Sequence, residues 1–114
     1  MVHLMIDDKR EPDVHFAVPD GGCDIARTYQ AGIKLLQTNE YHTLFLDHDL
    51  GLGSYEADIE RHGEHVMTWL EQNLDHMPLH ITLLTANPSA GQRMWTGLGR
   101  WIERGFILER DWIR

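Results

Sequence analysis

Three short, mostly apolar runs, at 2–6, 43–47 and 80–84, alternate along the chain with segments of helical periodicity. Runs of this length, bounded by polar and turn residues, are typical of buried parallel strands. The intervening segments repeat apolar residues every three or four positions, which is the spacing of one helix face. The pattern therefore predicts an α/β protein in which strands and helices alternate.

The periodicity and the turn residues also bound the remaining elements. We expect three helices, at 24–38, 63–74 and 90–103. Residues 106–108 are expected to form a short fourth strand or an extended tail. Two prolines and Gly21-Gly22 predict a loop over 11–22, and a second, flexible loop is expected over 51–62. Because helices separate the strands, the order predicts a parallel sheet with right-handed crossovers, in a single domain over 1–114.

Acidic residues directly follow two of the predicted strands. Asp7 and Asp8 come after the first strand, and Asp47 and Asp49 lie at the end of the second. The carboxyl ends of parallel strands meet at one edge of the sheet, where open α/β proteins bind ligands. Four carboxylates gathered there repel one another unless a divalent cation or protons neutralise them. The pattern predicts a site for Mg²⁺ or Mn²⁺, against the alternative of solvated loop carboxylates that cap nearby amides.

His48 lies between two of these carboxylates. A neighbouring carboxylate favours a protonated imidazole, so one hypothesis makes His48 the general acid–base on a phosphate ester, with Asp47 as the second catalytic residue. The alternative is that His48 points away from the pocket, because it is out of phase with Asp47 and Asp49 along the strand. His62 and His65 could hold a soft metal, but a solvated helix face is the favoured interpretation of their spacing.

Polar side chains also follow the third predicted strand. Thr85 can bind a phosphoryl oxygen through its hydroxyl, and Asn87 can donate through its amide. The simpler alternative is a strand-to-helix turn capped by Thr85 or Ser89. Arg10 and Arg27 are the basic residues best placed to contact a bound anion, although Arg27 is equally compatible with a surface position on a helix. We expect Arg10, Thr85 and Asn87 to bind the substrate.

The composition narrows the classes of partner. Asp and Glu number 18 against 10 Lys and Arg, which gives a formal net charge of −8. General nucleic-acid binding depends on Lys and Arg, so it is not expected, whereas a small phosphorylated substrate bridged by a metal remains compatible. The single Cys23 excludes an internal disulfide and fits a reducing compartment. No leader and no run of about 20 apolar residues is found, so we expect a cytoplasmic protein without a membrane partner.

Taken in order, these motifs resemble the cyclic-phosphate processing receiver-like domains, which are truncated relatives of the response-regulator receiver domain. The matching elements are Asp-Asp-x-Arg-x-Pro at 7–12, Arg-Thr-Tyr at 27–29, Leu-Asp-His-Asp-Leu-Gly at 46–51, Trp-Leu-Glu at 69–71 and Asn-Pro at 87–88. Among these elements, Asp-His-Asp-Leu-Gly is specific to the family pattern. The chain departs from the family pattern at Leu84, where a histidine is expected, and it lacks the receiver lysine because Pro88 follows Asn87.

The resemblance implies a truncated receiver-like (flavodoxin-like) α/β fold, a three-layer sandwich around a short, mostly parallel sheet. It places Asp7, Asp8 and Asp47 in an acidic, Mg²⁺-binding pocket, and it implies a role on cyclic or terminal phosphates of nucleotides or RNA ends. The first hypothesis is therefore a metal-dependent phosphoesterase that acts on a cyclic phosphate. The alternatives are a non-catalytic receiver-like module that binds metal and works through a partner, and a protein that binds a cyclic nucleotide without turnover.

Overall fold

The computed structural model describes residues 2–9, 22–50, 55–56 and 59–113. Five strands within these ranges form one sheet, with the bounds β1 His3–Ile6, β2 Cys23–Ala26, β3 Thr43–Leu46, β6 His80–Leu83 and β7 Glu109–Trp112. Their order across the sheet is β2-β1-β3-β6-β7, and every neighbouring pair is parallel. The predicted α/β class and the parallel, receiver-like sheet are confirmed.

Three helices connect these strands in the described part of the chain: α1 Tyr29–Thr38, α2 Gly63–Gln72 and α3 Pro88–Glu103. A 3₁₀ turn at Leu74–His76 follows α2, and a two-stranded antiparallel hairpin precedes it, with β4 at Tyr55–Glu56 and β5 at Ile59–Glu60. The side chain of Thr28 caps α1 by accepting from the Ala31 amide at 3.2 Å.

Alternate residues of the central strands divide the core between the two faces of the sheet. One face carries six fully buried aliphatic side chains, Leu4, Ile6, Leu44, Leu46, Ile81 and Leu83, and residues of all three helices pack into the same cluster. On the opposite face Met5, Phe45 and Leu84 form a second buried cluster. Both faces of the sheet are therefore shielded from solvent, as the predicted three-layer arrangement requires.

The structure corrects three of the predicted elements. The first helix begins at Tyr29 rather than at residue 24, because 23–26 form strand β2, which pairs in parallel with β1. The fourth strand of the prediction lies at Glu109–Trp112 and not at 106–108, because the chain turns at Gly105 before it pairs with β6. The predicted loop after residue 50 includes the β4–β5 hairpin. The predicted loop at 11–22 falls almost entirely outside the described residues.

Strand register determines which polar residues meet at the carboxyl edge of the sheet. Ile6 of β1 is level with Leu46 of β3, and Leu46 is level with Leu83 of β6. The residues that follow these three positions therefore leave the sheet side by side. The direction of the connections changes between β1 and β3, which is where open α/β sheets place their ligand-binding crevice.

Candidate metal and phosphate site

Three carboxylates converge at the carboxyl edge. One oxygen from each of Asp7, Asp8 and Asp47 lies within 4.8 Å of the other two. Asp7 is fully buried, Asp47 is 7% exposed and Asp8 is half-buried. The predicted convergence of the two acidic clusters is confirmed, whereas their role as metal ligands stays a prediction.

The backbone holds these carboxylates in place. The Asp7 amide donates to the carbonyl of Ala26 at 3.1 Å, and the Asp47 amide donates to the carbonyl of Ile6 at 2.9 Å. Both bonds continue the strand ladders by one residue beyond the last strand position. The Lys9 amide donates to Oδ1 of Asp7 at 2.9 Å, which turns the chain so that Asp8 can share the pocket with its neighbour.

A pocket of about 320 Å³ opens around the three carboxylates, and it is large enough for a phosphate group with its ester substituents. Its described lining comes from the ends of β1, β3 and β6, and comprises Asp7, Asp8, Lys9, Asp47, Asp49, Thr85, Ala86 and Asn87. The structure thus brings together six of the eight residues that the sequence predicts for the site. Of the other two, Arg10 lies outside the described residues, and His48 is not part of this described lining.

Thr85 and Asn87 form the wall that β6 contributes. Thr85 is buried, and its Oγ1 accepts from the Asn87 amide at 3.1 Å. The Asn87 side chain caps α3, because its Oδ1 accepts from the Ala90 amide at 3.2 Å. The side-chain amide nitrogen of Asn87 is therefore the group that can donate a hydrogen bond to a phosphoryl oxygen. The indole nitrogen of Trp112 donates to the Thr85 carbonyl at 3.0 Å, so β7 holds this wall from behind.

His48 is buried between carboxylates. Its Nδ1 lies 2.9 Å from Oδ1 of Asp49, and its Nε2 lies 2.9 Å from Oε1 of Glu64. Its ring is stacked on that of His62, with 5.2 Å between the centroids. Since ionised carboxylates only accept hydrogen bonds, both contacts are satisfied when both ring nitrogens carry a hydrogen. The side chain therefore faces α2, and the general-acid role of His48 stays a prediction.

The remaining predicted residues take different positions. The carboxylate of Asp49 is 65% exposed and lies at the rim of the pocket, outside the group formed by Asp7, Asp8 and Asp47. Arg27, the other basic residue that the sequence places near a bound anion, donates from its guanidinium to the backbone carbonyl of Asp7 at 3.3 Å. It therefore supports the turn that carries the carboxylates.

The histidine pair at the start of α2 has a structural role in the described part of the chain. Nδ1 of His65 accepts from the backbone amide of His62 at 2.7 Å, and this bond closes the first turn of the helix. Burial lowers the pKa of His65. A ring nitrogen that accepts from an amide is not available as a metal ligand, which agrees with the interpretation that these residues form a helix face.

Three residues of the site region were not predicted from the sequence. Lys9 lines the pocket and is its only described cation, next to the predicted Arg10 in the chain. Glu64 of α2 accepts from His48 and also from Nη2 of Arg93 on α3, at 2.7 Å. The hydrogen bond from Arg93 is the main cause that holds the pKa of Glu64 below its usual range. Only the packing of α2 against α3 brings these side chains together.

The donor set fits a hard divalent cation. Mg²⁺ and Mn²⁺ prefer oxygen ligands, and Mg²⁺ binds one or two carboxylates and keeps several waters at about 2.1 Å. Opposite ligands of such an ion are separated by about 4.2 Å. The carboxylate oxygens of Asp7, Asp8 and Asp47 are spaced within 4.8 Å, so they require only a small adjustment to surround one ion.

The chain matches the family model of the cyclic-phosphate processing receiver domain over residues 2–100. The chain belongs to this family. The match includes every residue predicted for the site and ends within α3, so β7 lies beyond it. No curated protein and no solved structure matches this receiver domain significantly. None of its described helices is both long enough and apolar enough to cross a bilayer.

Proposed function

We propose that this receiver domain is a metal-dependent phosphoesterase that opens a cyclic phosphate on a nucleotide or an RNA end. The observation that carries the proposal is the convergence of Asp7, Asp8 and Asp47 with Thr85 in one pocket of a cyclic-phosphate processing receiver domain. Anionic ligands alone would repel a phosphate, so the arrangement requires a cation between the carboxylates and the substrate.

Asp7, Asp8 and Asp47 would hold Mg²⁺ or Mn²⁺, and Asp49 at the rim would contact it through water. A bound divalent cation would supply Lewis-acid polarisation of a phosphoryl oxygen and would lower the pKa of a water bound to it. Thr85 would donate its hydroxyl hydrogen to a phosphoryl oxygen, and the Asn87 amide would donate to another. Lys9, which follows β1 and lines the same pocket, adds positive charge, and the predicted contact of Arg10 would do the same.

In the reaction a water oxygen attacks phosphorus and one ring P–O bond breaks, which leaves a phosphate monoester and an alkoxide. His48 would give its proton to that alkoxide oxygen and recover one from water. The contact of His48 with Asp49 keeps its ring next to the pocket rim. To reach the leaving oxygen the ring has to exchange that contact for the substrate, a movement that an exposed partner such as Asp49 permits.

The substitution at Leu84 is compatible with this function. The Leu84 side chain packs with Met5 and Phe45 in the second buried cluster, and it is not part of the described pocket lining. Position 84 is therefore not among the described positions that line the pocket, and the described polar groups of the lining are all present in a chain that carries Leu84.

The test is a screen of 2′,3′- and 3′,5′-cyclic phosphates with Mg²⁺ or Mn²⁺, followed by ³¹P NMR. We expect conversion of one class to a monoester, loss of turnover and of metal binding in Asp47→Asn, and wild-type behaviour in Asp75→Asn. Asp75 is exposed on the 3₁₀ turn, so it provides the same charge change away from the pocket. For His48→Ala we expect turnover to fall by about 10²–10⁴ while metal binding is retained.

A non-catalytic module is the second candidate, and the position of His48 favours it. Both ring nitrogens already face carboxylates, so in this arrangement the side chain secures the end of β3 to α2. Such a module would bind metal, or a cyclic nucleotide, and act through a partner. A wild-type protein that binds a cyclic phosphate in the presence of metal, and hydrolyses none, would establish this candidate in place of the enzyme.

A further inference from the structure

A chain of four charged or polar side chains connects the rim of the pocket to α3. It begins at Asp49, passes through His48 to Glu64 on α2, and ends at Arg93 on α3. The successive contacts measure 2.9, 2.9 and 2.7 Å, and each one is within hydrogen-bonding distance. The chain therefore links three elements of the fold, since His48 follows β3, Glu64 lies on α2 and Arg93 lies on α3.

Arg93 binds Glu64 with two nitrogens. Its Nη2 lies 2.7 Å from Oε1 and its Nε lies 3.5 Å from Oε2 of the carboxylate. A guanidinium that meets both oxygens fixes the plane of the carboxylate as well as its position. The oxygen Oε1 also faces Nε2 of His48, so the orientation of the carboxylate determines where that hydrogen bond can form.

A stacked ring and a backbone hydrogen bond also hold His48 in place. The His62 ring is stacked on it at 5.2 Å with an angle of 15° between the planes, and the Gly63 amide donates to the His48 carbonyl at 2.8 Å. The stacked His62 ring opposes rotation of the His48 ring out of its plane, and the contact of Nε2 with Glu64 opposes movement within that plane. Loss of the Glu64 contact would free the ring, whereas the backbone on either side of it stays held by the bonds from the Asp47 amide to the Ile6 carbonyl and from the Gly63 amide to the His48 carbonyl.

We propose that Glu64 and Arg93 are positioning residues of the site, which hold the His48 side chain in the orientation that hydrolysis requires. This inference rests on the proposed function, since it names residues that support the same site. Neither residue lines the metal pocket in the described structure, so their effect on the reaction acts through His48.

Four variants separate a positioning role from a general effect of charge. Arg93→Met removes the guanidinium, Arg93→Lys keeps a positive charge without the planar fork, and Glu64→Gln keeps the shape of the acceptor without its charge. Arg100→Met is the matched control, because Arg100 is an exposed residue two turns further along α3 and its substitution changes the net charge equally. Thermal unfolding of each variant first establishes that it is folded.

Three measurements are made on each folded variant. They are kcat and KM for the cyclic phosphate that the wild type hydrolyses, the affinity for Mg²⁺, and the ¹⁵N chemical shifts of the His48 ring. A misplaced proton donor lowers kcat and leaves KM nearly unchanged, so we expect kcat to fall about tenfold in Arg93→Met and further in Glu64→Gln. In a fifth variant that combines Arg93→Met with Glu64→Gln, kcat should fall no further than in Glu64→Gln alone, because both residues act through one contact.

The expected pattern includes displaced His48 ring signals in Arg93→Met and Glu64→Gln, partial recovery in Arg93→Lys, and wild-type signals in Arg100→Met. Mg²⁺ affinity should change by less than about twofold, since the contact lies outside the group of three carboxylates. An active wild type with equal kcat in Arg93→Met and Arg100→Met, or with unmoved ring signals, overturns the positioning role alone. A wild type with no turnover of any cyclic phosphate overturns the proposed function and this inference with it.

Discussion

We expect the acidic pocket to make the stability of this receiver domain dependent on divalent cations. Two unit charges 4.8 Å apart repel by about 3.5 kcal/mol at an effective dielectric constant near 20. Asp7, Asp8 and Asp47 form three such pairs, and two of them include Asp47. Partial exposure of Asp8 lowers these energies, but the carboxylates still repel one another. Because only the folded state brings the three carboxylates together, a cation that binds between them binds the folded state selectively.

The size of the effect follows from mass action. At a Mg²⁺ concentration 100 times its Kd, binding adds about 2.7 kcal/mol to the free energy of unfolding. For a chain of 114 residues, this gain corresponds to a rise in Tm of about 11 °C. If Asp47→Asn weakens binding by about 100-fold, the same Mg²⁺ concentration adds only about 0.4 kcal/mol, or roughly 2 °C.

The assay is thermal unfolding followed by circular dichroism, in EDTA and in millimolar Mg²⁺ or Mn²⁺, with KCl added to equalise the ionic strength. Asp75→Asn should gain as much from the cation as the wild type does, because its carboxylate lies on the 3₁₀ turn and not in the pocket. An equal Tm for the wild type in EDTA and in Mg²⁺, or an equal gain in Asp47→Asn, would refute the assignment of these carboxylates to a metal site.

Two further predictions concern the surroundings of the pocket. In Gly63→Ala the new Cβ would lie 3.0 Å from the carbonyl carbon of Asp47, which is backbone and cannot move aside, so we expect a loss of about 1–3 kcal/mol in chemical denaturation. Gly97→Ala, where the nearest atom is the flexible end of the Met67 side chain, should be tolerated; equal losses would contradict the argument. The pKa of Glu64 is held low, mainly by Arg93, so its contribution to stability is present above the usual glutamate value of 4.5 and is lost as the pH falls through the folded value. The stability advantage of the wild type over Glu64→Gln should therefore shrink in urea titrations below pH 4.5, and an advantage that is constant down to pH 3 would argue against it.

The central strands and two of the three described helices could be predicted from the sequence. The strands are short apolar runs, and the helices repeat apolar residues every three or four positions. Strand β2 could not be predicted, because two of its four residues are charged or exposed and because Ile25 also fits the periodicity of the following helix. Strand β7 has the sequence Glu-Arg-Asp-Trp, which has no apolar run. Both are edge strands that pair with the sheet through backbone groups. Backbone hydrogen bonding does not require apolar side chains, so these strands lack the apolar run that identifies a central strand.

The same distinction applies to the site. The meeting of Asp7 with Asp47 could be predicted because each follows an apolar strand and parallel strands end at a common edge. The contacts of Glu64 with His48 and Arg93 could not, because they depend on how α2 and α3 pack, and Glu64 and Arg93 are 29 residues apart in the chain. Lys9 could have been found with Arg10, since both belong to the same turn-forming motif after β1.

The parallel pairing of β1 with β3 also has a kinetic consequence. Asp7 and Asp47 become neighbours only when these two strands align, and β2 and α1 lie between them in the chain. Pairing across such an intervening segment closes a long loop and is slow, so the acidic pocket is absent from the early, locally structured states of the folding chain. A cation that binds the completed pocket then acts mainly by slowing its opening. The lifetime of the native state, more than the speed with which it forms, is the quantity that the metal would control.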